Sequence, residues 1–111
     1  GCAMAVANTL GCGFLEKVYE NALALELRSA GLAVEQQRGI AIACKGVVVG
    51  EYFADLLVEN VVVVELKTVR ALDRAHHAQC INYLRASGLH LCLLFNFATP
   101  RLECRRVVQD L

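Results

Sequence analysis

Asp55, Glu65 and Lys67 are the residues of this 111-residue chain whose types and spacing could do chemistry. They lie in the stretch Phe53-Ala54-Asp55-Leu56-Leu57-Val58-Glu59-Asn60-Val61-Val62-Val63-Val64-Glu65-Leu66-Lys67. Charged side chains are costly inside a buried strand. Yet Glu65 and Lys67 close a four-valine run, and Asp55 stands between Ala54 and Leu56. Side chains alternate along a strand, so residues 65 and 67 share a face. Two carboxylates and an amine on one sheet face can hold a hard divalent cation with a positive charge beside it. Magnesium takes carboxylate oxygens and keeps several waters. The amine can orient an attacking water or stabilise charge developing on a phosphate.

Whether the two carboxylates meet depends on one connection. If Glu59-Asn60 is a plain two-residue loop, Val58 pairs with Val61 and Asp55 with Val64. Asp55 and Glu65 then face opposite sides. A three-residue connection, or a bulge, shifts the register by one and sets Asp55 opposite Glu65. The second arrangement is expected.

The elements that must position these residues can be read from periodicity and punctuation. Residues 2–10 are small and apolar and predict a short helix ended by Gly11 and Gly13. Residues 14–30 predict an amphipathic helix on Phe14, Leu15, Val18, Tyr19, Ala22, Leu23, Leu25 and Ala30, stopped by Gly31. Three Val- and Ile-rich strands follow at about 33–44, 47–58 and 61–69, separated by Lys45-Gly46 and Glu59-Asn60. Asp73 is a candidate N-cap for a helix to about Ser87, closed by Gly88. Leu89 to Phe97 predicts a strand buried on both faces, and 102–108 an edge strand. The order α-α-β-β-β-α-β-β gives an α/β fold, a mixed β-sheet flanked by helices.

Composition bounds the rest. At 57% hydrophobic and 20% charged, the chain is not disordered. It is expected to form one domain over residues 1–111. No apolar run approaches the roughly 20 residues of a membrane-spanning helix, so no membrane partner is expected. Eleven basic residues balance eleven acidic ones, but unevenly: residues 1–65 hold 4 basic and 8 acidic, the remainder 7 and 3. Setting aside Glu16, Asp55 and Glu65 as cation-facing leaves 8 acids against 11 bases. The cation-loaded surface is then mildly basic. Arg70, Arg74, Arg101, Arg105 and Arg106 could line a phosphate track or be solvated surface charge. The six cysteines form no C-x-x-C pair, and Cys44, Cys80 and Cys92 lie in apolar runs as small hydrophobes. Reduced thiols, and first residues without the basic start of a secretory leader, point to a cytoplasmic protein. So apolar a composition in so small a chain points to surface buried between subunits, in a homodimer.

The spacing Asp55-x9-Glu65-x-Lys67 resembles the D…(D/E)-x-K core of the PD-(D/E)xK nuclease superfamily. Gln79 and Tyr83 form Q-x-x-x-Y, four apart on the next helix, similar to the motif of its RecB-like branch. Gly13-Phe14-Leu15-Glu16-Lys17-Val18-Tyr19 resembles the namesake motif of the small bacterial GxxExxY protein family of the same superfamily. The likeness continues through Ala54-Asp55-Leu56-Leu57-Val58, Val64-Glu65-Leu66-Lys67, His77-Ala78-Gln79 and Leu94-Phe95-Asn96-Phe97. It covers nearly the whole chain, with Ala54 in place of the superfamily's proline. The resemblance implies a restriction-endonuclease-like core. It implies that Asp55, Glu65, the Leu66 carbonyl and the first-helix Glu16 hold Mg2+ or Mn2+, with Lys67 catalytic and Gln79 completing the site.

Each residue also has a plainer role open to it. Glu65 and Lys67 could form a strand-end ion pair. Glu16 could be a solvated helix residue and Gln79 a surface amide. Tyr83 could bind substrate or be a core aromatic with its hydroxyl satisfied. His76 or His77 could bind phosphate or simply lie on the helix surface; His77, Arg70 and Arg74 are carried forward as substrate-binding candidates. Two functions remain open. One is a metal-dependent nuclease cutting DNA, either RecB-like on ends or single strands, or like the small homodimeric junction resolvases. The other is a non-catalytic nucleic-acid-binding or assembly module on a nuclease-derived fold.

Overall fold

The computed structural model describes residues 1–109. Asp110, among the acids counted above, and Leu111 lie outside the described residues. Helices α1 (Cys2–Leu10) and α2 (Glu16–Ser29) precede strands β1 (Val34–Cys44), β2 (Val47–Val58) and β3 (Val62–Lys67). Helix α3 (Arg74–Ser87) and strands β4 (Leu91–Asn96) and β5 (Glu103–Val108) complete the order. The expected mixed sheet is present, with strands in the order β1-β2-β3-β4-β5. Only β3 and β4 pair in parallel, and α3 supplies the crossover that parallel neighbours need. No helix among the described residues is long and apolar enough to cross a membrane.

Turn chemistry sets the hairpins. Lys45 and Gly46 take positive φ values of 50° and 79°, as a tight two-residue turn requires. Glu59 and Asn60 do the same at 54° and 57°, but Val58 pairs with Val62, so Val61 joins the connection. This is the three-residue arrangement. The ladder runs from Val58 against Val62 to Leu56 against Val64, and one residue further Asp55 meets β3 through its side chain, which accepts from the Leu66 amide. Asp73 caps α3 by accepting from the Ala75 and His76 amides, and His76 Nδ1 accepts from the Asp73 amide at 3.0 Å. His76 is therefore a capping residue. Gly88 ends α3 in the left-handed conformation.

The sheet buries an apolar layer on each face. Tyr19, Leu23 and Ala24 of α2 pack with Leu56, Val64 and Leu66 on one side. Cys80, Tyr83 and Leu84 of α3 pack with Leu57, Val63 and Leu94 on the other. The long β1–β2 hairpin serves both layers. Val34, Leu56 and Val58 lie on the α2 side, whereas Ile40 and Ala54 lie on the α3 side. Residues of one parity keep to one face of a regular strand. Here they change face between Leu56 and Ala54. The β1 residue at that crossing is Gln37, with φ of 54°. Beyond it the ribbon passes beneath α3, where Tyr83 Oη donates to the Arg38 carbonyl at 3.1 Å.

Three expectations need correction. The buried stripe of α2 is Tyr19, Glu20, Leu23 and Ala24. Phe14, Leu15, Val18 and Leu25 are exposed, because the i, i+4 contact stripe is narrower than the apolar pattern. Strand β4 is not buried on both faces: Cys92, Leu94 and Asn96 are buried, while Leu91, Leu93 and Phe95 are half-buried. The latter face meets an apolar cleft of about 480 Å³, shared with α1 and α2. Cys44 is exposed near the hairpin tip, unlike the buried Cys80 and Cys92, and all six cysteines are free.

Tyr19 fastens the start of α2. Its ring is fully buried and stacks on Phe97, with centroids 4.8 Å apart. Its hydroxyl donates to the Gly11 carbonyl at 2.6 Å and accepts from the Phe14 amide at 3.2 Å. The loop so held passes through Gly13, whose φ of 110° suits glycine alone. Tyr19→Phe should keep the stacking and remove both hydrogen bonds, lowering stability by about 1–2 kcal/mol. A urea midpoint unchanged from wild type would contradict this anchoring.

Candidate active site

The site is built at the end of β3, where the β1–β2 ribbon and the start of α2 come together. Asp55 is half-buried. Its Oδ2 accepts from the Leu66 amide at 2.7 Å, and its Oδ1 accepts from Gln37 Nε2 at 3.2 Å. The main chain of Leu66 thus orients Asp55 through its N–H, while the Leu66 side chain is buried on the α2 side. Glu65 is only 5% exposed. Burial and then the Asp55 carboxylate push its carboxyl up to about 9, and Lys67 opposes the shift. Two carboxylates facing each other in a desolvated site cannot both ionise readily without a cation between them.

Glu16 stands in the first turn of α2. Burial raises its carboxyl above the ordinary value, Asp55 and Glu20 raise it further, and Lys67 lowers it. Glu16 therefore feels the charges of both Asp55 and Lys67. Lys67 is half-buried. The ion pairs among the described residues are Lys17–Glu20, Arg38–Glu35 and Arg105–Glu103. A Glu65–Lys67 strand-end pair is not among them, so the ammonium is not engaged by its neighbour.

Residues that sequence reasoning missed hold the site in place. Glu20 is 3% exposed. Burial pushes its carboxyl up, but hydrogen bonds from Lys17, Gln36 and Gln37 outweigh that and leave it below the ordinary value. Gln37 Nε2 donates to Glu20 Oε1 at 2.6 Å as well as to Asp55. The available signal was Glu16 and Glu20, like charges four apart on one helix, which repel unless something lies between them. Asn96 is fully buried. Its amide donates to the Val69 carbonyl and to Glu103 Oε1, and its Oδ1 accepts from the Val69 amide. Asn96 thereby clamps the chain that leaves β3 just past Lys67.

Among the described residues, no three His, Cys, Asp or Glu side chains converge as a ready-made metal cage. The donors still fit a hard cation held through one or two carboxylates with waters filling the remaining positions. Asp55 and Glu65 are such a pair, and the proton that Glu65 retains is the one a cation would displace.

A family model for the PD-(D/E)XK nuclease superfamily matches residues 1–107. The chain belongs to that superfamily. Among solved structures, the crystal structure of SSO0001 aligns with a TM-score of 0.65 at 19% identity, over 86% of this chain and 51% of that one. The chain thus spans about half the length of that structure. At this identity the likeness concerns the fold, which is restriction-endonuclease-like α/β. An alkaline exonuclease (LHK-Exo) from Laribacter hongkongensis aligns with a TM-score of 0.45 at 15% identity, over 97% of this chain and 76% of that one. No curated protein matches the sequence.

The remaining candidates of this PD-(D/E)XK chain divide by depth. Tyr83 is 3% exposed, with its hydroxyl on the Arg38 carbonyl. It is a core residue that holds the ribbon, not a surface contact for substrate. Gln79 and His77 are exposed on α3, and neither side chain hydrogen-bonds to Asp55, Glu65 or Lys67. Arg70 follows β3 in the exposed connection, and Arg74 opens α3, also exposed. Arg105 and Arg106 lie on the edge strand β5, opposite Leu94 and Leu93.

Proposed function

We propose that the chain is a divalent-metal-dependent nuclease that hydrolyses DNA phosphodiester bonds. The carboxylates Asp55 and Glu65, which act on each other where the β2–β3 ladder ends, carry this reading together with Lys67, two residues along the same strand and in no ion pair among the described residues. Asp55 and Glu65 hold Mg2+ or Mn2+, with Glu16 and the Leu66 carbonyl as further ligands in the superfamily pattern. The ion, when bound, supplies Lewis-acid stabilisation of charge on the phosphate oxygens. Lys67 orients the attacking water and stabilises the charge that develops during attack. Arg70, Arg74 and His77 meet the DNA backbone, and Gln79 reaches the site once substrate is bound. Membership of the GxxExxY family, and RecB-like or junction-resolvase-like cleavage within the superfamily, belong to the same proposal. So does a homodimer, supported by the exposed apolar residues Val47, Val48, Val49 and Phe53 on the hairpin.

The absence of a three-side-chain metal cage among the described residues favours a second reading, a nucleic-acid-binding or assembly module without turnover. One experiment separates them. Wild type and Glu65→Ala are titrated with Mn2+ by calorimetry, then incubated with single-stranded, duplex and branched DNA in Mg2+ or Mn2+. Carboxylate-dependent binding with cleavage supports the nuclease. Wild-type protein that neither binds Mn2+ nor cuts any of the three substrates leaves the second reading.

A further inference from the structure

We propose that Gln37 is a positioning residue of the candidate site: its left-handed backbone and its side-chain amide set the Asp55 carboxylate for a divalent cation, with the buried Glu20 as anchor. The inference rests on the metal-dependent reading given above.

Four observations carry it. Gln37 lies within β1 with φ of 54°. Left-handed backbone in a strand is unfavourable for any residue with a Cβ, and glycine, asparagine or aspartate tolerate it better. Local backbone preference therefore does not account for a glutamine here.

The amide accounts for it. Both protons of one NH2 group are used, one on Glu20 Oε1 at 2.6 Å and one on Asp55 Oδ1 at 3.2 Å. The reverse orientation of the amide would aim its oxygen at two carboxylates, so the placement is chemically unique. A shorter amide on the same backbone could not span both acceptors.

Glu20 gives the amide a fixed base. It is buried, and Gln36 Nε2 and Lys17 Nζ donate to its other oxygen at 2.7 and 2.8 Å. Its acceptors are engaged by protein donors, so its role is to hold Gln37.

Asp55 is consequently clamped at both oxygens, by Gln37 on Oδ1 and by the Leu66 amide on Oδ2. Each oxygen keeps a lone pair for a ligand, and rotation of the carboxylate is blocked. Gln37 is also where the ribbon changes face, so Asp55, directly across from it, is aimed by the same backbone feature. Partners of this kind around a metal-binding carboxylate are commonly worth 10–100-fold in affinity.

Gln37→Gly separates positioning from structure, because glycine suits the backbone and removes the amide. Gln37→Asn tolerates the backbone and shortens the reach. Both are compared with wild type and Asp55→Asn by Mn2+ titration calorimetry and urea denaturation of the metal-free proteins. The expected result is a 10–100-fold weaker Mn2+ affinity of the folded protein in both Gln37 variants, whatever the lowering of the unfolding midpoint that follows from leaving a buried Glu20 oxygen short of a donor. A purely structural role would shift the midpoint and leave the affinity of the folded protein unchanged. Wild-type Mn2+ binding that is lost in Asp55→Asn but within twofold of normal in both Gln37 variants overturns this inference alone. Wild-type protein that binds no Mn2+ overturns both it and the metal-dependent reading.

Discussion

Lys67→Ala is expected to slow DNA cleavage by about 10²–10³-fold at saturating Mn2+. The ammonium is half-buried, makes no ion pair among the described residues, and lies on the face that carries Glu65. A positive group in that position acts most strongly where negative charge develops, which is at the phosphate during attack. It also acts on the resting site, since Lys67 lowers the carboxyls of both Glu16 and Glu65. Removing it makes those carboxyls hold their protons more tightly, so Mn2+ has more protons to displace. Removal also lifts the ammonium's repulsion of Mn2+, which works the other way, so at saturating Mn2+ the rate should stay low whatever the change in affinity. Single-turnover cleavage across a metal titration resolves the two effects. A variant that regains the wild-type rate at high Mn2+ would remove Lys67 from the chemical step.

Glu65→Gln should flatten the pH dependence of stability and abolish stabilisation by Mn2+. The Glu65 carboxyl is pushed up to about 9 in the folded protein, against 4.5 for the ordinary group. Between those values the folded chain holds a proton that the unfolded chain releases. Stability is full below about 4.5 and declines as pH rises through the window towards 9. At pH 7 the decline from this group is on the order of 3 kcal/mol. Glutamine keeps the shape and neither gains nor loses a proton, so that decline disappears. Wild type should recover stability when Mn2+ is added at pH 7 to 8, because a ligand that binds only the folded state stabilises it. Glu65→Gln should not respond. Urea denaturation at pH 5, 7 and 8.5, with and without Mn2+, tests both parts. Parallel pH profiles for the two proteins would contradict the buried, protonated carboxyl.

What could be read from the sequence was local. Asp73 and Gly88 act through their own backbone, and they bound α3 as expected. Lys45-Gly46 and Glu59-Asn60 mark turns because their backbone must bend there. The three-residue connection that sets Val58 against Val62 followed from turn length alone. The misjudged features depend on partners far away in sequence. Tyr83 shares a stripe with Gln79, but spacing along a helix gives direction and not depth. Tyr83 is buried because the ribbon turns beneath α3 at Gln37. Glu20, Gln37 and Asn96 are polar residues whose roles exist only once α2, β1 and the chain after β3 meet. Periodicity carries no signal for such meetings. Strand β4 read as buried on both faces because its residues are uniformly apolar, yet one face fronts the cleft.

The change of face in the β1–β2 ribbon has a consequence for how the molecule breathes. Only Leu56, Leu57 and Val58 of β2 pair with β3. The outer part of the ribbon pairs within itself and touches the body mainly beneath α3. Regions with few cross-links open locally without global unfolding. The outer ribbon can therefore open while the sheet beneath it stays closed, and its amides have a shorter protected lifetime than those of β3 and β4. The pivot of that opening is Gln37, so Asp55 borders the boundary between the slow part of the molecule and the fast part.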